Sequence, residues 1–249
     1  MKETQKGDNI SKTKQPIRND NEAGQAAPPS PETTTVYIKT TDQGRLPVYA
    51  TSGSAGCDLY LARDLVLLPG QRMVLPVNFS LALEPGVEAQ VRPRSGLSLK
   101  TTLRVPNSPG TIDCDYRDPV GVIAENTASL FSILDDLMLK PSLLSQLAAS
   151  YNPTTYGAFL SQKAKDELIA AETAGEAADW LPQTLASLPV FIDSQGNPYG
   201  TLYLKSGERI AQMVLSRYLR AAFISHDNPA AIGYNRGGGF GSTGTDKIK

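Results

Sequence analysis

Phe79-Ser80-Leu81-Ala82-Leu83-Glu84-Pro85-Gly86-Val87-Glu88-Ala89-Gln90-Val91 is the stretch whose reading decides the fold. Phe79–Leu83 and Val87–Val91 are strand-like runs. Between them Glu84-Pro85-Gly86-Val87 sets Pro then Gly at the central positions of a four-residue turn, the chemistry of type II. The pattern continues outward. Leu65 to Leu68 and Met73 to Val77 are short apolar runs separated by Leu68-Pro69-Gly70-Gln71, a second Pro-Gly turn. Thr34 to Lys39 is β-branched and aromatic. Short strands with turns about every eight to twelve residues predict an all-β sandwich or jelly roll.

The chain has 249 residues and a net charge of −1, enough length for a real core and no global field toward nucleic acid or an anionic membrane. No apolar run reaches the length of a membrane span, and no signal-peptide pattern opens the sequence, so a cytoplasmic setting is expected. Two cysteines, Cys57 and Cys114, provide neither metal-ligand spacing nor a disulfide framework. The single histidine, His226, excludes multi-histidine metal sites and sits in a polar loop sequence. Chemistry must therefore rest on carboxylates, arginines and backbone. Residues 1–33 are almost free of large apolar side chains and are expected to be a disordered tail.

Five punctuated segments carry that chemistry. Ala55-Gly56-Cys57-Asp58-Leu59 places one acid beside small residues that permit close backbone approach. Pro93-Arg94-Ser95-Gly96-Leu97 offers a guanidinium, a hydroxyl and amide donors around a glycine, a plausible phosphate cradle or a plain loop. Asn107 to Arg117 reads as a turn-rich lead-in to a short strand with Asp113 and Asp115 on one face and Tyr116 on the other. Its plain alternative is a polar sheet edge. Gly207 to Val214 reads as a strand with Gln212 among apolar neighbours. Arg236 to Gly244 is glycine-rich, with Phe240 able to cover a base by stacking; the alternative is a flexible tail.

Together, in this order and on an all-β background, the segments resemble the trimeric dUTPase family. The resemblance covers roughly residues 34–126 and 202–244. It implies a dUTPase-like jelly-roll β-barrel forming a homotrimer with shared active sites, and hydrolysis of dUTP to dUMP and pyrophosphate. Such a reaction limits uracil incorporation into DNA and supplies dUMP for dTMP synthesis. Position by position, Asp113 would activate the attacking water, and Tyr116 would lie against the deoxyribose and exclude a 2′-hydroxyl. Asn107, Thr111, Ile112 and Gly121 would read uracil in a narrow hairpin. Arg94, Ser95, Gly96 and Gln212 would contact phosphates. Mg²⁺ would be bound mainly by the triphosphate, with Asp58 meeting it through water. Arg236, Phe240, Gly241 and Ser242 would belong to a C-terminal arm, residues 235–249, that closes over the nucleotide.

The sequence departs from the family pattern in three places. Asp118-Pro119 stands where a glycine usually follows Asp-Tyr-Arg, and a proline makes the preceding residue extended. Arg236 and Phe240 are one residue closer than usual. Finally, residues 127–200 form a large insert between the core segments 34–126 and 201–234. Its Leu130, Ile133, Leu134, Leu137 and Met138 follow a helical stripe, Lys140-Pro141 breaks it, and a second helix is expected at Leu143–Leu147. Two more are expected at Tyr156–Ala171 and Trp180–Leu188. Val190–Ile192 and Thr201–Leu204 are expected to form a hairpin around Asp193 to Gly200. The insert would be surface decoration, an added trimer contact, or a module for a protein partner. Two other readings compete: a dUTPase-derived regulatory protein acting through the insert, and a dCTP deaminase relative, which would lack the Asp115-Tyr116 pairing.

Overall fold

The computed structural model describes residues 32–130, 132–168, 182–235 and 237. The chain divides into the units Met1–Thr34 and Thr35–Lys249, and the fold below is that of the second. Most of the expected tail, and of the arm with Arg236, Phe240, Gly241 and Ser242, lies outside the described residues.

The strands are β1 (Tyr37–Thr40), β2 (Val48–Tyr49), β3 (Gly56–Tyr60), β4 (Leu65–Leu67), β5 (Arg72–Pro76), β6 (Phe79–Ala82) and β7 (Val87–Arg92). The short helix α1 (Ser95–Lys100) follows, then β8 (Leu103–Arg104), β9 (Gly110–Ile112) and β10 (Gly121–Asn126). Next come α2 (Ser132–Leu139), α3 (Leu143–Ser150), β11 (Asn152–Thr155), α4 (Tyr156–Leu168), α5 (Gln183–Ala186) and β12 (Pro189–Ile192). β13 (Leu202–Leu204) and β14 (Arg209–Arg217) return to the core. Every strand pairing is antiparallel. The largest sheet runs β2-β3-β14-β7-β9, and a second runs β5-β10-β8. The strands bury one contiguous core, with inward and outward residues alternating on β6, β7 and β10, and with Leu59, Leu75, Phe79, Ala89, Val122 and Ile210 almost fully inaccessible. The all-β jelly-roll expectation holds.

Both Pro-Gly turns form as read. Gly70 and Gly86 have φ of +73° and +87°, the left-handed geometry that glycine adopts without strain. Gln71 N donates to Leu68 O at 3.0 Å, and Val87 N donates to Glu84 O at 3.1 Å.

Two local expectations fail. Only Gly110–Ile112 is strand, whereas Cys114 and Asp115 form a turn in which Tyr116 N donates to Asp113 O at 3.1 Å. Asp113 and Asp115 therefore do not share a strand face. Nor do β9 and β10 pair with each other: β9 joins β7, and β10 joins β5 and β8, so the expected uracil hairpin is a junction between two sheets. The second failure lies in residues 127–200. Val190–Ile192 pairs with β11, and Leu202–Leu204 pairs with β4, so they are not partners in a hairpin. The helical stripe on α2 is only partly covered, with Ile133 buried and Leu134 and Met138 exposed.

Asn126 ties this segment to the core. It is fully buried (0% exposed), and its Nδ2 donates to Leu67 O at 3.0 Å and Gly200 O at 2.8 Å. Its Oδ1 accepts from Thr102 Oγ1 at 2.6 Å and Ala128 N at 3.1 Å. A polar network continues along the return path. Tyr199 donates to Asp136 Oδ2 at 2.6 Å, and Tyr203 donates to Asp193. Burial and then the Asp136 bond push the Tyr199 hydroxyl up to about 12.

Candidate functional site

Strand register assembles the first cleft. Asp58 on β3 stands opposite Gln212 on β14, which stands opposite Arg92 on β7. Three residues far apart in sequence thus form a row across the sheet. Beyond β7 the chain turns at Pro93, whose carbonyl accepts from Gln212 Nε2 at 2.9 Å, and enters α1 at Ser95. Asp58, Arg94, Ser95, Gly96 and Gln212 all line a cleft of about 440 Å³. Gly56 leaves room for Gln212 there: a Cβ on it would lie 2.7 Å from Gln212 Oε1, so a larger residue would displace that carboxamide.

Asp58 organises the charges. It is 8% exposed, and its two oxygens accept from Arg94 Nε at 2.8 Å and Arg209 Nη1 at 3.3 Å. Arg94 also donates to the Arg209 carbonyl at 3.3 Å. One buried carboxylate therefore holds two guanidinium groups, of which Arg94 lines the cleft, and offsets only part of their charge. Arg92 adds a second guanidinium to the cleft lining. Its Nε and Nη2 donate to Gln90 Oε1 at 3.1 and 2.6 Å, so the guanidinium is held by a neutral amide and keeps its charge. The first turn of α1 adds amide donors without intrahelical acceptors. The cleft suits a polyanion.

The second cleft, about 200 Å³, opens where β9 and β10 diverge and is lined by Asn107, Thr111, Ile112, Tyr116 and Gly121 together with Val91, Val120 and Ile123. Apolar walls, strand-edge backbone and one carboxamide suit a small planar ring with hydrogen-bonding edges. Asn107 is held against the start of β9, since a Cβ on Gly110 would lie 2.9 Å from its Nδ2. Tyr116 is 38% exposed at the mouth, and its hydroxyl donates to Pro119 O at 3.1 Å. Asp113 follows Ile112 directly and is exposed on the turn rather than in the wall.

The two clefts share no lining residue. Arg92 and Arg209 were not singled out from sequence. Arg92, two residues before Arg94 on the same chain turn, carried a usable signal; the role of Arg209 depends on β3–β14 pairing and carried none.

The donor set does not make a metal cage. Among the described residues no group of three or more His, Cys, Asp or Glu side chains converges, whereas a hard divalent cation takes about six oxygens. Asp58, already accepting from two arginines, fits a water-mediated contact at most. Burial pushes the Cys57 thiol up, and Cys57 Sγ donates to Met213 O at 3.3 Å, which makes it a core residue rather than a nucleophile. No helix among the described residues is long and apolar enough to cross a membrane.

Comparison with known proteins bears on the family and the fold. The dUTPase family profile matches residues 42–134. A deoxyuridine 5′-triphosphate nucleotidohydrolase of Chlamydia pneumoniae is 44% identical over 106 residues, which cover 42% of this chain and 73% of the relative. One from Bartonella henselae is 48% identical over 99 residues, covering 37% of this chain and 54% of the relative. In three dimensions, a Staphylococcus bacteriophage 80alpha dUTPase solved with dUpNHpp aligns with a TM-score of 0.56. At 20% identity, the alignment covers 86% of this chain and 100% of the other, and it speaks for the shared fold. On the strength of the Chlamydia match and the profile, the chain belongs to the dUTPase family.

Proposed function

We propose that this protein hydrolyses dUTP to dUMP and pyrophosphate, with uracil and deoxyribose in the Asn107–Tyr116 cleft and the phosphates in the Arg94–Gln212 cleft. The observation that carries the reading is the sorting of the motif residues: the base-and-sugar set lines one cleft, and the phosphate set lines the other. Asp113, exposed beside the first, acts as the general base on the attacking water, a role worth about 10²–10⁴ in rate. Arg94 and Arg92, Ser95, the α1 amides and Gln212 hold the phosphates in line and offset their charge. Asn107 and the backbone of Thr111, Ile112 and Gly121 read the uracil edge, and Tyr116 walls off the ribose 2′-position.

Mg²⁺ belongs to the substrate in this reading. Asp58 would hold it through water, and the ion, carried by the triphosphate, would supply neutralisation of phosphate charge. Arg236, Phe240, Gly241 and Ser242, outside the described residues, would supply further contacts to the nucleotide. A homotrimer accounts for clefts that share no residue, and for the exposed apolar side chains of Val48, Tyr49, Leu219, Phe223 and Ile224. The setting is cytoplasmic.

The test is pyrophosphate release from dUTP, dCTP, dTTP and UTP, measured side by side with magnesium. dUTP should be preferred over the other three. Asp113→Asn should lose about 10²–10⁴ of the dUTP rate while still binding dUpNHpp; normal turnover by that variant refutes the assignment.

A further inference from the structure

The junction Asp118-Pro119 is a local peculiarity of this chain, and the structure gives it a task. Residues 113–120 leave one sheet and enter another without strand pairing of their own, so their shape depends on a few bonds. Tyr116 N donates to Asp113 O at 3.1 Å, and Arg117 Nη1 donates to the Cys114 and Tyr116 carbonyls, each at 2.7 Å. At the far end Val120 N donates at 2.8 Å to the carbonyl of Phe79, a residue 1% exposed in the core. Between these anchors the Tyr116 hydroxyl reaches forward three residues to Pro119 O.

That carbonyl is unusually well fixed. The pyrrolidine ring sets Pro119 φ at about −65°, and the Val120–Phe79 bond restrains the peptide unit that carries the carbonyl. A half-exposed tyrosine at a cleft mouth would otherwise exchange rotamers freely. We propose that Pro119 is a positioning residue that sets the discrimination between deoxyribose and ribose, by bracing the Tyr116 ring through its carbonyl. This rests on the function proposed above: the ring must be the wall that the sugar meets. An unbraced ring still packs against a deoxyribose, but it yields to a 2′-hydroxyl.

Two variants separate the parts. Tyr116→Phe keeps the ring and removes the donor; Pro119→Gly keeps a carbonyl and releases its φ. For each, kcat/KM is measured for dUTP and UTP, and calorimetry gives the affinities for dUMP and UMP. Both variants should raise the UTP-to-dUTP ratio about 3- to 10-fold, the equilibrium worth of one hydrogen bond, with the same trend in UMP-to-dUMP affinity. A role limited to stability would lower both substrates together. An unmoved ratio in Tyr116→Phe, with dUTP still hydrolysed, overturns the brace, and an unmoved ratio in Pro119→Gly alone overturns Pro119's part in it. A wild-type protein that fails to prefer dUTP over UTP overturns the function proposed above, before any variant is compared.

Discussion

Replacing Asp58 with Asn tests the charge arrangement of the proposed phosphate cleft directly. Asn matches Asp in shape and retains an acceptor oxygen, so the change isolates the charge. The Arg94 bond, at 2.8 Å between a 26% exposed guanidinium and an 11% exposed carboxylate, is charge-assisted and mostly shielded. Such bonds contribute about 1.5–3 kcal/mol. The Arg209 contact, at 3.3 Å with its guanidinium side chain 51% exposed, is screened and contributes about 0–1 kcal/mol. Together the loss should be about 1.5–4 kcal/mol, or a melting point lower by about 3–16 °C for a chain of this size. The assay is thermal unfolding followed by circular dichroism, at one fixed protein concentration, since the midpoint of a self-associating protein depends on concentration. A double-mutant cycle with Arg94→Gln should return a coupling of about 1.5–3 kcal/mol. A change within about 0.5 kcal/mol, the range of an ordinary surface substitution, would refute the idea that Asp58 is the hub holding both arginines.

Further predictions concern the third arginine and the return path of the helical segment. Arg92→Gln should weaken binding of dUpNHpp about 10- to 150-fold, the worth of one charge-assisted hydrogen bond, and leave dUMP affinity nearly unchanged; equal loss for both nucleotides would remove Arg92 from the proposed phosphate cleft. Asp193 is pulled by two opposing influences. Desolvation raises its carboxyl, but the bonds from Tyr203 and the Asn197 and Gln195 amides outweigh it and hold the folded value below the usual range. Its contribution should therefore be complete above the unfolded value of about 3.9 and vanish as pH falls through the lower folded one. The difference in melting point between wild type and Asp193→Asn, measured from pH 7 to pH 3, should be largest near neutrality and shrink in acid. A difference that grows toward acid pH would show that the sign is wrong.

The parts of this molecule that sequence made legible are those whose cause is local. Pro-Gly at the centre of a turn demands positive φ at Gly70 and Gly86 wherever the flanking strands go, and both glycines comply. The two acids of Asp113-Cys114-Asp115 mislead for the opposite reason, since the strand ends at Ile112. A period of two is the only mark of a strand in three residues, and a turn with the same spacing looks identical until the partner strand is known. β11 could not have been foreseen: its Asn152-Pro153-Thr154-Thr155 lacks apolar alternation and includes a proline, so only its pairing with β12 defines it. The same division holds at the site. Asn107, Tyr116, Arg94 and Gln212 stood out through the company they keep in short motifs. Arg209 and the Pro119 carbonyl became visible only when cross-strand register and loop closure placed them.

Asn126 has a consequence for how this protein can change. The chain leaves the core beside that side chain and comes back at Gly200, whose carbonyl the same carboxamide holds. Departure and return therefore meet at one address, and the barrel feels a closed doorway rather than the length of what lies behind it. Such a port lets the material between its jambs be lengthened, trimmed or exchanged by descent or by engineering without renegotiating the sheets. The residue that guards the port would then be the one to leave untouched.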